Sequence, residues 1–243
     1  MLWKDRLYQY YVSSGQAATA KEASSPASFF RPRAPHLRQV VTRFIPPDRR
    51  LKIVDLGCGP GASLYFLKLA GYTNISGVDI SLEQIEQAHR LGLTEARQGQ
   101  IDSFLAGTSP ESIDIVLLFD VLEHLSREEL FTTLDEVYRI LRTGGRCIVH
   151  VPNAEGLYGM RIRYGDLTHE LAFTPQALQQ LFTTVGFRSV QTFEDKPRVH
   201  GILSGIRRAV WAVGTLPHRI LLAAETGRTQ FILSQNMLAV AKK

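Results

Sequence analysis

Val54-Asp55-Leu56-Gly57-Cys58-Gly59-Pro60-Gly61 decides how this chain folds. Residues 51–56 read as a buried strand closed by glycines, and 62–69 as a helix that stops at Gly71. Glycines at alternate positions let the backbone turn sharply and approach a ligand closely. The free N–H groups that open the next helix then face a polar or anionic group. Roughly 20 residues further on, Asp79 stands at the end of a second strand, 74–80, where an acid accepts ribose hydroxyls. The loop is G-x-G-x-G with Asp55 two residues before its first glycine, whereas a dinucleotide loop is G-x-G-x-x-G. Pyrophosphate gains nothing from a carboxylate in its loop. A ligand bearing an amino acid's ammonium does, because Asp55 can order the loop and face that positive group.

Outward from this unit, strands and helices keep alternating. Ser81 N-caps a helix over 82–91, with Gln84 at the third helical position. A short strand follows at 96–98, and 113–119 is apolar on both faces, as a buried parallel strand is. Residues 127–141 form an amphipathic helix, Thr143-Gly144-Gly145 a turn, and 146–151 a strand ended by Pro152-Asn153. A helix over 174–185 is followed by Gly186, and 187–193 and 236–241 are the last strands. Upstream, Pro35 begins a helix with Leu37, Val40, Val41 and Phe44 on one face, ended by Pro46-Pro47. Residues 13–28 are rich in Ser, Ala and Gly and read as mobile. The expected organisation is a mobile N-terminal segment or lid at 1–34 and one α/β domain at 35–243. Its sheet is mainly parallel with helices on both faces.

Composition sets the outer bounds. The 243 residues, 44% hydrophobic and 21% charged, suit one large α/β domain. Cys58 and Cys147 stand far apart in apolar runs, which argues against a disulfide and for a reducing, cytoplasmic setting. Met1-Leu2-Trp3-Lys4-Asp5-Arg6-Leu7 has early charges of both signs and does not read as a secretory signal. No window reaches the ~18 uninterrupted apolar residues of a membrane span. The net charge of +5 suits anionic substrates, a membrane surface or simple solubility.

The chain resembles a class I S-adenosylmethionine (SAM)-dependent methyltransferase from about Leu37 to Phe193, plus the last strand. Asp55–Gly61 is similar to that family's first motif, and Gly77-Val78-Asp79-Ile80-Ser81 to its second. Asp114-Ile115-Val116 leading to Phe119-Asp120-Val121-Leu122-Glu123-His124 is similar to its fourth. Leu141-Arg142-Thr143-Gly144-Gly145 is similar to its Leu-Lys-Pro-Gly-Gly turn. The resemblance implies a Rossmann-like fold with a seven-stranded sheet and SAM as cofactor. It also implies the contacts: Asp55 with Gly57, Cys58, Gly59 and Gly61 at the methionine moiety, Asp79 at the ribose, and Ile80 on the adenine. Gln100, Ile101 and Asp102 match the stretch beside the adenine amine, where the contact is open between Gln100 and Asp102; Phe119 and Asp120 line the methionine end. A later signature comprises His150-Val151-Pro152-Asn153, residues 164–170, Phe173-Thr174-Pro175 and Gly186-Phe187. It resembles bacterial methyltransferases of glycan synthesis and, more distantly, quinone O-methyltransferases. That implies a small-molecule, glycan or lipid-linked acceptor.

A sugar or phenol hydroxyl must lose its proton when it is methylated. His169 is the first candidate base, because Asp166, His169 and Glu170 gather in a loop that can close over the pocket. His124 is the second, and it is equally read as a packing element at a helix start. His150 ends a strand and reads as structural, while Tyr158 and Tyr164 are lesser candidates for the pocket wall. Asp120, Glu123 and His124 stand at i, i+3, i+4, a set that would suit magnesium or calcium. The expectation is nevertheless that no metal is needed and that turnover survives chelation. No Asn/Asp-Pro-Pro-Tyr/Phe motif and no basic–aromatic stripe is present, so a nucleic-acid acceptor is not expected. The alternatives are a SAM-binding regulatory or scaffold protein without catalysis, and a methyltransferase on a carbon, amine or nucleic-acid acceptor.

Residues 196–233 interrupt the alternation. They are apolar and carry Lys196, Arg198, Arg207, Arg208, Arg219 and Arg228 against only Glu225. This insertion is open between a peripheral contact with anionic lipid, a substrate lid, a homodimer contact and a helix packed on its own domain.

Overall fold

The computed structural model describes residues 3–10, 14–15 and 25–243. Its seven strands are Ile53–Leu56 (β1), Ile75–Asp79 (β2), Ala96–Gln98 (β3), Ile113–Phe119 (β4), Leu141–Pro152 (β5), Ser189–Glu194 (β6) and Asn236–Lys242 (β7). They form one sheet in the order β3-β2-β1-β4-β5-β7-β6. β1 to β5 pair in parallel, and β7 runs antiparallel between β5 and β6. The order reverses at β1, whose neighbours are β2 and β4. Open α/β sheets bind ligands at such a switch point, beyond the carboxyl ends of the strands.

The helices are Trp3–Gln9 (α1), Pro26–Phe29 (α2), Ala34–Phe44 (α3), Ala62–Leu69 (α4), Leu82–Arg90 (α5), Ile101–Ala106 (α6), Arg127–Ile140 (α7), Gly159–Arg163 (α8), Pro175–Val185 (α9) and Ile202–Thr226 (α10). Two apolar layers cover the sheet. One is built on α6, α7 and α9 through Leu105, Leu134, Val137 and Phe182; the other on α3, α4 and α5 through Val40, Leu64, Leu67 and Ile85. Helix starts follow side-chain chemistry. Ser126 accepts from Glu129 N while the Glu129 carboxylate accepts from Ser126 N, a reciprocal cap on α7.

Some boundaries differ from the sequence reading. The turn at Thr143–Gly145 lies within β5 as an irregularity, since Ile113 faces Leu141 while Ile115 already faces Arg146. The sequence reading gave no helix at α6, which is too short to display a helical period. The packed domain also begins before residue 35. Phe30 is only 2% exposed and sits in the core with α3 and α4. Within the expected mobile segment, residues 1–2, 11–13 and 16–24 lie outside the described residues. α1 is docked: Lys4 donates to His124 O at 2.8 Å and pairs with Glu170.

Candidate active site

β1 delivers the chain into the glycine loop, and Gly57 N and Cys58 N both donate back to Val78 O of β2. Gly57 has φ +76°, and a Cβ there would drive into Val121, so the tight turn requires glycine. Above Gly59 a Cβ would meet nothing nearer than 3.8 Å, which leaves the loop open on that side. Asp79 braces the loop from the end of β2, where one carboxylate oxygen accepts from Gly59 N and the other from Ser81 N, each at 2.8 Å. Burial raises its pKa, and these two N–H groups pull it back down.

Asp55 lies beneath the loop. It is 2% exposed, and its Oδ1 has no partner among the described residues. Burial pushes its carboxyl up to about 7, tempered by a hydrogen bond from Ser63. A buried acid with an unsatisfied oxygen beside an open glycine loop fits a ligand that brings an ammonium. Asp79 at the switch point fits a ribose. Ile80 is 43% exposed, an apolar face free for a base. Gln100 N-caps α6, and Asp102 lies in its first turn. Both are exposed, and Ile101 between them is half-buried against the core.

Two histidine clusters flank the turn after β4. The first centres on His150, in β5. Its Nδ1 lies 2.6 Å from Asp120 Oδ1, and its Nε2 lies 3.5 Å from Asp195 Oδ2. Asp195 Oδ1 also meets His36 Nδ1 at 3.0 Å and Arg198 at 2.9 Å. Burial alone would lower the His150 pKa, but the charges and hydrogen bonds of Asp120 and Asp195 outweigh it and raise it to about 10. Partial burial would raise the Asp120 carboxyl; the His150 charge and hydrogen bond instead hold it down at about 2. Asp120 has φ +57°, a left-handed conformation costly for a residue with a side chain. Its N–H bond to His150 O and its ion pair with the ring hold it there.

The second cluster is Glu123, His124 and His169. His124 Nδ1–H donates to Thr168 Oγ1 at 2.8 Å, and that hydroxyl donates to Asp166 Oδ1 at 2.6 Å. His169 Nδ1–H donates to Ile162 O at 3.0 Å, and the two imidazole rings meet edge-on with centroids 4.6 Å apart. In this arrangement Nε2 is the lone-pair nitrogen of each ring. Burial and the neighbouring His169 push the His124 pKa down to about 4. Glu123 is 1% exposed, with Oε2 unpartnered among the described residues. Burial and the charge of Asp120 push its carboxyl well above the usual range, which favours the neutral acid.

The sequence reading is corrected at several points. Asp120 does not join Glu123 and His124; it turns to His150, and His169 takes its place. One ligand atom each from Glu123, His124 and His169 lie within 4.8 Å of one another, so this is the set able to hold a cation. His36, His150 and Asp195 also lie that close, but their atoms are engaged in ion pairs with each other. Asp166 orients His124 through Thr168 rather than His169, and Glu170 pairs with Lys4. Tyr158 and Tyr164 are 63% and 73% exposed rather than set in a pocket wall.

His150, read as structural, is a hub, and His36, Asp195, Thr168 and Tyr8 went unnoticed. His36 carried a signal, standing one turn before Val40 on the inward face of α3. Tyr8 of α1 lies with its ring 6.3 Å from that of His124. Burial and the nearby charges of Asp166, Asp79 and Glu123 push its hydroxyl pKa up. α1 therefore packs against the second cluster through Lys4 and Tyr8. A cleft of about 2020 Å³ lies elsewhere, between α3, the end of β6 and α10.

A family model described as a methyltransferase domain matches residues 29–192. Among curated relatives, the O-methyltransferase resE of Aspergillus sclerotiorum is 26% identical over 195 residues, covering 73% of this chain and 70% of that protein. The 2-methyl-6-phytyl-1,4-hydroquinone methyltransferase of Synechocystis sp. is 26% identical over 168 residues, covering 68% of this chain but only 51% of that protein. Among solved structures, a SAM-dependent methyltransferase from Archaeoglobus fulgidus superposes with a TM-score of 0.65 at 23% identity, covering 86% of this chain and 93% of that one. The switch-point glycine loop, the braced Asp79 and the family match over two thirds of the chain lead to one assignment: this protein belongs to the class I SAM-dependent methyltransferase family, with SAM as its cofactor.

Proposed function

We propose that the chain transfers a methyl group to a hydroxyl of a small-molecule, glycan or lipid-linked acceptor, with His169 as the base. The contacts proposed for SAM are Asp55, Gly57, Cys58, Gly59, Gly61, Asp79, Ile80, Gln100, Ile101, Phe119 and Asp120. SAM supplies a methyl already activated on a sulfonium, so the protein's task is alignment and proton removal.

The observation that carries this reading is the His124–His169 pair beside the loop after β4. His169 holds its Nδ1–H on Ile162 O, which fixes the tautomer and leaves Nε2 as the basic atom. His124, pushed down to about 4, holds a proton poorly and packs edge-on against its neighbour. Glycan and lipid-linked acceptors rest on sequence resemblance, and the printed activities of the relatives belong to those proteins. Labelled SAM incubated with hydroxyl, amine, carbon and RNA acceptors, followed by mass spectrometry, tests the reading. Label on an oxygen is expected. Label only on nitrogen or carbon would overturn it, and SAM binding without transfer to any acceptor would favour a scaffold.

One observation favours a second reading of the same cluster. The unpartnered Glu123 Oε2, with two imidazole nitrogens close by, suits a divalent cation that would hold and acidify the acceptor hydroxyl.

A further inference from the structure

α10 is built inside out. Its inward residues include Ser204 and Thr215, 6% and 2% exposed, whose hydroxyls are satisfied within the segment: Ser204 on Gly201 O and Thr215 on Trp211 O. Its large aliphatic residues face away from the domain. Ile202, Leu203, Val210, Val213 and Leu221 are all at least 66% exposed, and Ile206, Leu216 and Ile220 at least 54%. At 100° per residue, these eight fall on one face less than half the circumference wide. The face runs roughly 30 Å along the helix. Packing on the protein's own domain, one of the four readings of this segment, is therefore excluded for these side chains.

Charge indicates what covers this face. Lys196, Arg198 and Arg219 are paired with Glu194 and Asp195. Arg207, Arg208 and Arg228 form no ion pair among the described residues, and Glu225 is the only acid between residues 196 and 233. Arg207 stands beside the stripe, and with Arg208 and Arg228 it lines the cleft between α10 and the domain. A long apolar stripe on a segment with this excess of positive charge matches a helix lying in the plane of an anionic bilayer, with its aliphatic face in the acyl boundary and Arg207 within reach of the phosphates. No helix of the described residues is long and apolar enough to cross a membrane.

We propose that α10 is an in-plane membrane anchor that docks the enzyme on anionic lipid. This goes beyond the methyl-transfer reading and does not depend on it. The test is flotation of the purified chain with vesicles of phosphatidylglycerol and phosphatidylcholine, beside pure phosphatidylcholine vesicles. Binding to the anionic vesicles should be at least about tenfold stronger than to the neutral ones and should weaken with salt. The triple variant Ile206→Glu, Val213→Glu, Ile220→Glu should lower that binding by about tenfold or more. Because the substituted side chains are exposed, the variant should keep its thermal midpoint and its SAM affinity. SAM affinity also separates failure of this proposal from failure of the enzyme assignment. Absence of vesicle binding by the wild-type chain would overturn the proposal. So would a stable dimer that the triple variant dissolves, because the face would then be an interface between two copies.

Discussion

The two histidine clusters share one turn of chain but are electrostatic opposites. His150 lies between two carboxylates and holds its proton up to about 10. His124, next to another imidazole and a buried acid, loses its proton by about 4. Both rings are shielded from water, so desolvation disfavours the charged form in each. What differs is the charged partner. Asp120 and Asp195 meet His150 directly, while Asp166 reaches His124 only through the Thr168 hydroxyl. An ion cluster is suited to holding backbone in place, here the left-handed Asp120. Neutral imidazoles with free lone pairs are suited to accepting a proton. On the proposed reading, the two clusters divide positioning from chemistry.

The sharpest way to break that division is His169→Ala. General-base catalysis typically contributes about 10²–10⁴-fold, so turnover on a hydroxyl acceptor should fall by that order while SAM affinity stays nearly unchanged. Single-turnover rates and calorimetry with SAM check the two halves. Wild-type turnover would pass the role to His124. Loss of SAM binding as well would mean that His169 supports the loop.

His150→Gln should act on stability instead. Removing one partner of a buried ion pair typically costs about 3–5 kcal/mol. A smaller loss of about 1–3 kcal/mol is expected here, because Asp120 is half exposed and Asp195 keeps His36 and Arg198. The pH dependence has a definite sign. The folded-state pKa of His150 lies above its ordinary value, so its contribution is complete below about pH 6.5 and fades as pH rises through 10. The folded-state value of His124 lies below its ordinary value, so it costs stability as pH falls from about 6.5 toward 4. Denaturant melts across pH should show both slopes. His150→Gln should flatten only the alkaline one, and His124→Asn only the acidic one.

An effect of similar size is expected at the cofactor loop. Asp79→Ala should weaken SAM binding by roughly 1–3 kcal/mol, the scale of losing hydrogen bonds to a charged group. Calorimetry is the check. Undiminished affinity would remove Asp79 from the proposed contacts and leave it only its bracing of Gly59 and Ser81.

How far the sequence was legible follows from the range of each signal. The glycine loop, Asp79 and the strand rhythm are local, set by turn geometry and by runs of a few residues, and the sheet bears them out. The clusters are assembled by chain reversal. His36, His150 and Asp195 are 45 or more residues apart, and spacing along the chain cannot register their meeting. The i, i+3, i+4 argument for Asp120, Glu123 and His124 failed for a local reason. It presumes a continuous helix, whereas Asp120 sits at φ +57° and only Leu122–His124 forms a single 3-10 turn. The side chain of Asp120 is thereby aimed toward β5. The face of α10 was ambiguous because helical spacing shows that a stripe exists, not whether it points inward.

The smallest effect expected is from metal removal, and it tests the comparison where the two clusters look most alike, since each brings three potential ligands together. In the His150 cluster, Asp120 and Asp195 raise the His150 pKa to about 10, so the proton on that ring offsets acid charge. At Glu123, His124 and His169, the oxygen and nitrogen lone pairs must be reconciled by either a proton or a metal. Burial raises the Glu123 pKa far enough to favour the protonated acid, and that proton removes the like-charge problem without an ion. Turnover should therefore persist after dialysis against EDTA, and added magnesium or manganese should change it little. Loss on chelation, restored by either ion, would assign Glu123, His124 and His169 as ligands. It would also move the acidification of the acceptor from an imidazole to a metal. Manganese binding followed by electron paramagnetic resonance, abolished by Glu123→Gln, would then locate the ion without relying on activity.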